Sequence, residues 1–284
     1  VPSHSCRTVL PAMPELPEVE VVRAGLQQWT AGRTISEVAV LHPRAIRRHV
    51  AGATDFTARL RGMRLGDVHR RGKFLWWPLR GEQALVGHLG MSGQFRLDAD
   101  PGIHTRVTFD LDRRLLFDDQ RTFGGLWLDP LVDGLPTALT GIAPDPFAAE
   151  YDRRAVVATI RSRHAPVKAL LLDQSIVSGI GNIYADEALW LARVHWRTPG
   201  HALSARRVGA LLDAATEVMA AAIAAGGTSF DRLYVNVNGS SGYFQRALHA
   251  YGREGLPCER CGTPIVRERF ANRSSFRCPR CQRG

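Results

Sequence analysis

From Pro14 onward, the apolar positions Leu16, Val19, Val22, Leu26 and Trp29 recur every three to four residues, the spacing of one face of an amphipathic helix. The period then shortens. Runs rich in β-branched and aromatic residues at 34–41, 73–79, 83–89, 105–111 and 114–118 are separated by Gly- and Asp-rich turns. No helical pattern alternates with them, so a β-sandwich or flattened barrel is predicted rather than a parallel sheet. Pro130, Pro136, Pro144 and Pro146 fall within 129–150 and mark a hinge. Beyond it the helical period returns, predicting helices at 152–163, 166–174, 183–193 and 204–225. Ser204 is placed to cap the last of these and Gly226-Gly227 to stop it. Residues 228–250 read as a long polar loop with a short helix near 243–250, while residues 1–12 carry no periodicity.

The fold class is therefore α+β: an N-terminal β-sandwich with a leading helix, a helical domain, and a cysteine-bearing C-terminal hairpin. The expected division is an extension at 1–13, a sandwich domain at 14–133, a hinge at 134–150, a helical domain at 151–247 and a four-cysteine finger at 248–284. The length of 284 residues suits two domains plus an appendage. With 37 basic against 27 acidic residues the chain carries +10, which favours a polyanionic partner through phosphate neutralisation. A basic but merely solvated surface has the same composition. There is no run of 18 apolar residues, so no membrane span is expected. Nor does a secretory signal pattern precede the helix.

Cys258-x2-Cys261 and Cys278-x2-Cys281 are separated by sixteen residues. Each pair suits a tight turn, and four thiolates converge on one structural Zn²⁺. Metal-committed thiols imply a reducing compartment, most simply the cytoplasm. Residues 258–284 also hold seven arginines against Glu259 and Glu268, a net +5. A purely structural pin needs no such density, so the hairpin is read as a phosphate grip.

The segment Met13-Pro14-Glu15-Leu16-Pro17-Glu18-Val19-Glu20, taken with this tail, resembles the bacterial formamidopyrimidine-DNA glycosylase family, from Met13 to about Gln282. By itself a proline with acidic neighbours is ordinary helix-start chemistry. The resemblance implies instead that translation begins at Met13, that Pro14 is freed as a secondary amine, and that Val1–Met13 is absent from the working enzyme. An α-amino group titrates at about 7.7–8.0 against about 10.4 for lysine, so more of it is free base near neutrality. Its attack on C1′ of a deoxyribose gives an iminium ion that acidifies C2′ and permits elimination of the 3′ and then the 5′ phosphate. Glu15 would supply or shuttle protons, with Glu18 orienting the amine or Glu15.

The resemblance assigns further roles. Arg70-Arg71-Gly72-Lys73-Phe74-Leu75 carries Lys73 as a proton donor and phosphate contact. Arg273, five residues before the third cysteine, would reach the lesion's phosphates. Met91 in His88-Leu89-Gly90-Met91-Ser92-Gly93, and Arg121 and Phe123 in the turn 119–125, would fill the gap left by an extruded base and probe its partner. His104, Arg163, Lys168 and Asn182 would contact DNA. The stretch 173–187 resembles a helix–two-turn–helix signature in which Asn182 caps the following helix and that helix's amides hold a phosphate. The loop from Gly227 to Phe244 would fold over the flipped base.

The expected activity is a bifunctional glycosylase/AP lyase for oxidised purines, chiefly 8-oxoguanine opposite cytosine and formamidopyrimidines. Its partner is duplex DNA containing such lesions or abasic sites, and it is expected to act as a cytoplasmic, nucleoid-associated monomer. Two rivals stand beside it: an endonuclease VIII-type enzyme for oxidised pyrimidines, and a non-catalytic lesion-binding zinc protein if Pro14 is never freed.

Overall fold

A computed structural model of the chain describes residues 14–227 and 248–284. Helix α1 (Leu16–Thr30) starts where expected, with Pro17 in its first turn and Glu18 accepting from the Glu15 backbone N–H at 3.0 Å. It belongs to two cores at once. Leu16 packs among the C-terminal helices, whereas Val19, Val22 and Leu26 pack into the sandwich. The start of α1 is thus the joint between the two bodies.

The sandwich has two antiparallel sheets. One has the order β1 (Glu37–Val40), β6 (Thr105–Asp110), β7 (Arg114–Asp119), β5 (Gly93–Leu97). The other runs β2 (His69–Arg71), β3 (Phe74–Leu79), β4 (Gln83–His88), β8 (Gly125–Val132), β9 (Leu135–Pro136). Strict alternation along β6 points Thr105, Val107 and Phe109 inward. Trp77 meets Phe95 across the sheets, ring centroids 5.7 Å apart, and Leu75, Phe117 and Leu126 complete the layer. Each such buried side chain contributes roughly 1.5–3 kcal/mol.

All five expected strands are present with shifted ends, and β2, β5, β8, β9 and helix α2 (Gly52–Leu60) are additional. The proline-rich stretch expected as a hinge begins inside the sheet, since Pro130 lies in β8 opposite Gln83. In the C-terminal half, helices α3 (Arg153–Arg161), α4 (Val167–Leu172), α5 (Asn182–Leu191) and α6 (Ala205–Ala224) match the expected four. Ser204 caps α6 by accepting from the Arg207 amide. The short helix expected near 243–250 falls mostly outside the described residues, and 248–250 are not helical. Strands β10 (Val266–Phe270) and β11 (Arg273–Arg277) form the terminal hairpin. Among the described residues, no helix is long and apolar enough to cross a membrane.

Candidate active site and zinc centre

Pro14 and Glu15 are buried at the α1 joint. The Glu15 carboxylate accepts from the amides of Ile183 at 2.9 Å and Tyr184 at 3.4 Å, capping α5 from 168 residues away. The N-cap residue itself is Gly181, and the Glu15 carboxyl fills the space where a Cβ there would project. Asn182 is the first residue of α5 rather than its cap, and the amides expected to hold a phosphate are already bonded to Glu15. Leu16 N–H donates to the Gly179 carbonyl at 3.1 Å. Gly179 has φ +90°, and the Leu16 side chain closes its Cβ position, so glycine is required there.

Burial raises the Glu15 carboxyl to about 7, against the opposing pull of Lys73 and the two amides. Relative to an ordinary carboxyl at 4.5, this is about 3 kcal/mol against the charged form. The folded protein binds this proton more tightly than the unfolded chain does. The contribution to stability is therefore favourable at low pH relative to high, and declines between 4.5 and about 7. Glu18, which accepts from Tyr184 Oη at 2.8 Å, fixes the Glu15 backbone.

Lys73 is buried where β3 begins, and burial lowers its ammonium below the usual lysine range, with Glu15 opposing and Arg273 assisting. Its position is set by a clamp. Asp145 accepts from Arg70 at 2.7 Å and from the Gly72 amide at 3.0 Å, and Arg70 also reaches Glu20 at 2.8 Å. Gly72, at φ +55°, lies against Ser178 of the helical body. Glu15, Lys73 and Arg273 therefore share one electrostatic neighbourhood, although Arg273 itself is exposed at the start of β11.

Lys168 departs from its expected role as a DNA contact. Its side chain is fully buried, with Nζ 2.6 Å from Asp186 and 3.2 Å from the Ser274 carbonyl. Asp186 also accepts from Ser275 Oγ at 2.8 Å and the Phe276 amide at 2.9 Å. Asn182 Nδ2 donates to the Ser274 carbonyl at 3.0 Å. These residues seat the hairpin on α5. Removing one member of such a buried pair typically costs about 3–5 kcal/mol.

The four cysteine thiols lie within 4.8 Å of one another. The Cys261–Cys278 and Cys261–Cys281 separations are both 3.5 Å, close to the ~3.8 Å edge of a tetrahedron with Zn–S bonds of about 2.3 Å. The donor set and geometry fit one structural zinc. Trp190 of α5 donates to Cys258 Sγ at 3.4 Å and sits in a small core with Ile265, Phe276 and Cys278. Arg260 covers its face at 3.7 Å.

The two expected probe turns lie side by side. Met91 is half-buried, Arg121 is exposed, and Phe123 remains 47% exposed. Asp119 ties the turns together, accepting from Ser92 Oγ at 2.5 Å and the Gly124 amide at 2.7 Å. The Arg121 amide donates to Ser92 Oγ at 3.0 Å. His104 is half-buried beside β6, with Nδ1 buried and lacking a hydrogen-bond partner among the described residues. Arg163 is exposed after α3. The loop 228–244 lies outside the described residues. Asp186, Trp190, Asp119 and Asp145 were not singled out by the sequence. Each acts through a partner distant in the chain, and no local spacing marks it.

A β-sandwich joined at one helix to a helix–two-turn–helix body with a zinc hairpin defines a class of DNA-repair protein. Family models bear this out along the chain. Residues 13–126 match the formamidopyrimidine-DNA glycosylase N-terminal domain, 142–232 its H2TH domain, and 255–284 the zinc finger found in FPG and IleRS. The chain belongs to the formamidopyrimidine-DNA glycosylase family. It is 54% identical to the formamidopyrimidine-DNA glycosylase of Thermobifida fusca, covering 95% of this chain and 97% of that protein. With the Mycobacterium leprae protein of the same name the identity is 57%, covering 95% and 98%. Among solved structures, the MutM (Fpg) protein of Thermus thermophilus superposes with a TM-score of 0.84 at 39% identity, covering 95% and 98%. A Lactococcus lactis Fpg variant bound to Fapy-dG-containing DNA gives 0.85 at 32%, covering 95% and 100%.

Proposed function

We propose that this protein is a bifunctional DNA glycosylase/AP lyase that removes oxidised purines, 8-oxoguanine opposite cytosine and formamidopyrimidines, and cuts the resulting abasic strand. The observation that carries this reading is Glu15. A buried carboxyl that titrates near 7, next to Pro14 and facing Lys73, is poised to give and retake a proton at neutral pH. Named relatives bound to Fapy-dG and to abasic DNA support the substrate class.

In the proposed sequence, the Pro14 amine attacks C1′ as the C1′–N bond to the base breaks, and the amine's proton leaves with the base; Glu15 then protonates the ring oxygen and the C1′–O4′ bond opens, leaving C1′ doubly bonded to the proline nitrogen. The resulting iminium draws electrons from the C2′–H bond. Loss of that proton expels the 3′ phosphate, and a second elimination expels the 5′ phosphate. The chemistry requires Pro14 as a free amine, because a prolyl amide has no nucleophilic lone pair. Lys73 and Arg273 hold the flanking phosphates. His104, Arg163 and Asn182 are read as backbone contacts. Met91 and Phe123 occupy the vacated stack and Arg121 reads the orphaned base.

Excision rates on 8-oxoguanine:cytosine and thymine glycol duplexes test the substrate class. Faster removal of the oxidised purine is expected, and a preference for thymine glycol would favour the endonuclease VIII type. On 8-oxoguanine duplexes with cytosine or adenine opposite the lesion, Arg121→Ala should lose discrimination between the two, by about 1–3 kcal/mol, more than it loses activity. Equal losses on both pairs would reduce Arg121 to a loop support.

The pH profile follows from two opposed requirements, Glu15 protonated and the amine unprotonated. Single-turnover excision from about pH 5 to about pH 9 should be bell-shaped. Glu15→Gln does not titrate, so it should keep only the rising limb, at a rate lower by roughly 10²–10⁴. A falling limb that persists in this variant would remove Glu15 as the acid.

A further inference from the structure

We infer that Arg47 is a positioning residue that fixes the duplex-probing turn and thereby sets opposite-base discrimination. The inference rests on the reading of Arg121 and Phe123 given above. Arg47 follows a single 3₁₀ turn, Pro43–Ile46, packed near β8. Its guanidinium donates to three carbonyls of the probe turn: Thr122 at 3.2 Å and Gly124 at 2.6 Å through one nitrogen, and Phe123 at 2.8 Å through another. The first of these nitrogens also donates to the Arg44 carbonyl at 3.0 Å, anchoring the fork to its own turn.

The backbone here needs such a hold. Thr122 sits at φ 54°, a conformation a β-branched residue adopts only when its surroundings enforce it. Asp119 and Ser92 secure the turn's amides from within, but its outward carbonyls have Arg47 as their side-chain donor. A planar fork suits several converging acceptors, while an ammonium is a point charge that cannot span them. Side chains projecting from residues 121 and 123 inherit the precision of that frame. The neighbouring Arg48 lies over Trp127 at 4.7 Å, so the two arginines of this basic run have separate places.

Arg47→Lys and Arg47→Met separate this role from simple attraction to DNA. Both variants should lower the ratio of 8-oxoguanine excision opposite cytosine to that opposite adenine roughly tenfold, the factor equivalent to one net charge-assisted hydrogen bond. Zinc content and the thermal midpoint, measured alongside, identify any variant that has failed to fold. The salt dependence of duplex binding should be unchanged in both. If Arg47 instead grips a phosphate, Arg47→Lys retains the wild-type ratio and Arg47→Met flattens the log–log salt slope by about 0.9. That pattern overturns the clamp, as does wild-type discrimination in both variants. A wild-type protein that excises nothing from either duplex overturns the functional reading on which the clamp rests.

Discussion

Replacing Cys261 with serine should empty the zinc site and weaken duplex binding by roughly a hundredfold or more, while the sandwich stays folded. The hairpin has little apolar core of its own; Ile265, Phe276 and the cysteines pack against Trp190. In small zinc domains the metal supplies about 10–16 kcal/mol of folding free energy, so its loss unfolds the unit. The consequences would spread along defined contacts. Cys258 Sγ would no longer be held for Trp190 Nε1, and Ser275 and Phe276 would leave Asp186. Lys168 and Asp186 would then face each other without their hairpin partners, and Arg273 would leave the neighbourhood of Lys73. The sandwich has a separate core and shares no side chain with the hairpin's cluster. Metal analysis of the variant, paired with duplex titration at fixed salt, checks the expectation. Wild-type affinity in a metal-free variant would reject the phosphate-gripping hairpin.

Periodicity located α1, the four C-terminal helices and five strands, because each buries a face whose spacing repeats locally. It failed where the signal is short or mixed. Helix α2 buries only Phe56 and Leu60, too few positions to set a period. Strand β8 contains Pro130, which reads as a breaker until its pairing with β4 is seen. Strand β5 starts at Gly93, and three of its five positions are polar or glycine. The metal site was fully legible, since cysteine spacing is itself the geometry. Charged residues divided less well. Lys168 looked like a surface cation because its partner Asp186 belongs to the next helix, and only packing shows that both are buried. Local spacing points to the adjacent Asn182 as the cap of α5, whereas a carboxylate from the other end of the chain fills that place. Arg47 lies in a basic run with no local distinction, and the carbonyls it holds are more than seventy residues away.

The proline amine is the centre of this account, and its competitor is already in the site. Lys73 is buried, and its ammonium is held below the usual lysine range, so it too has an amine close to Glu15. The two nucleophiles differ in what they require. Pro14 can react only when no residue precedes it, while Lys73 is indifferent to the N-terminus. Borohydride reduction during reaction with an 8-oxoguanine:cytosine duplex traps the imine or iminium as a stable amine, and peptide mapping then locates the attachment. The measurement compares protein beginning at Pro14 with protein in which a blocked, uncleavable segment precedes Pro14. A DNA adduct on Pro14 is expected in the first preparation and no adduct in the second. Equal trapping in both, with the adduct mapped to Lys73, would contradict that expectation.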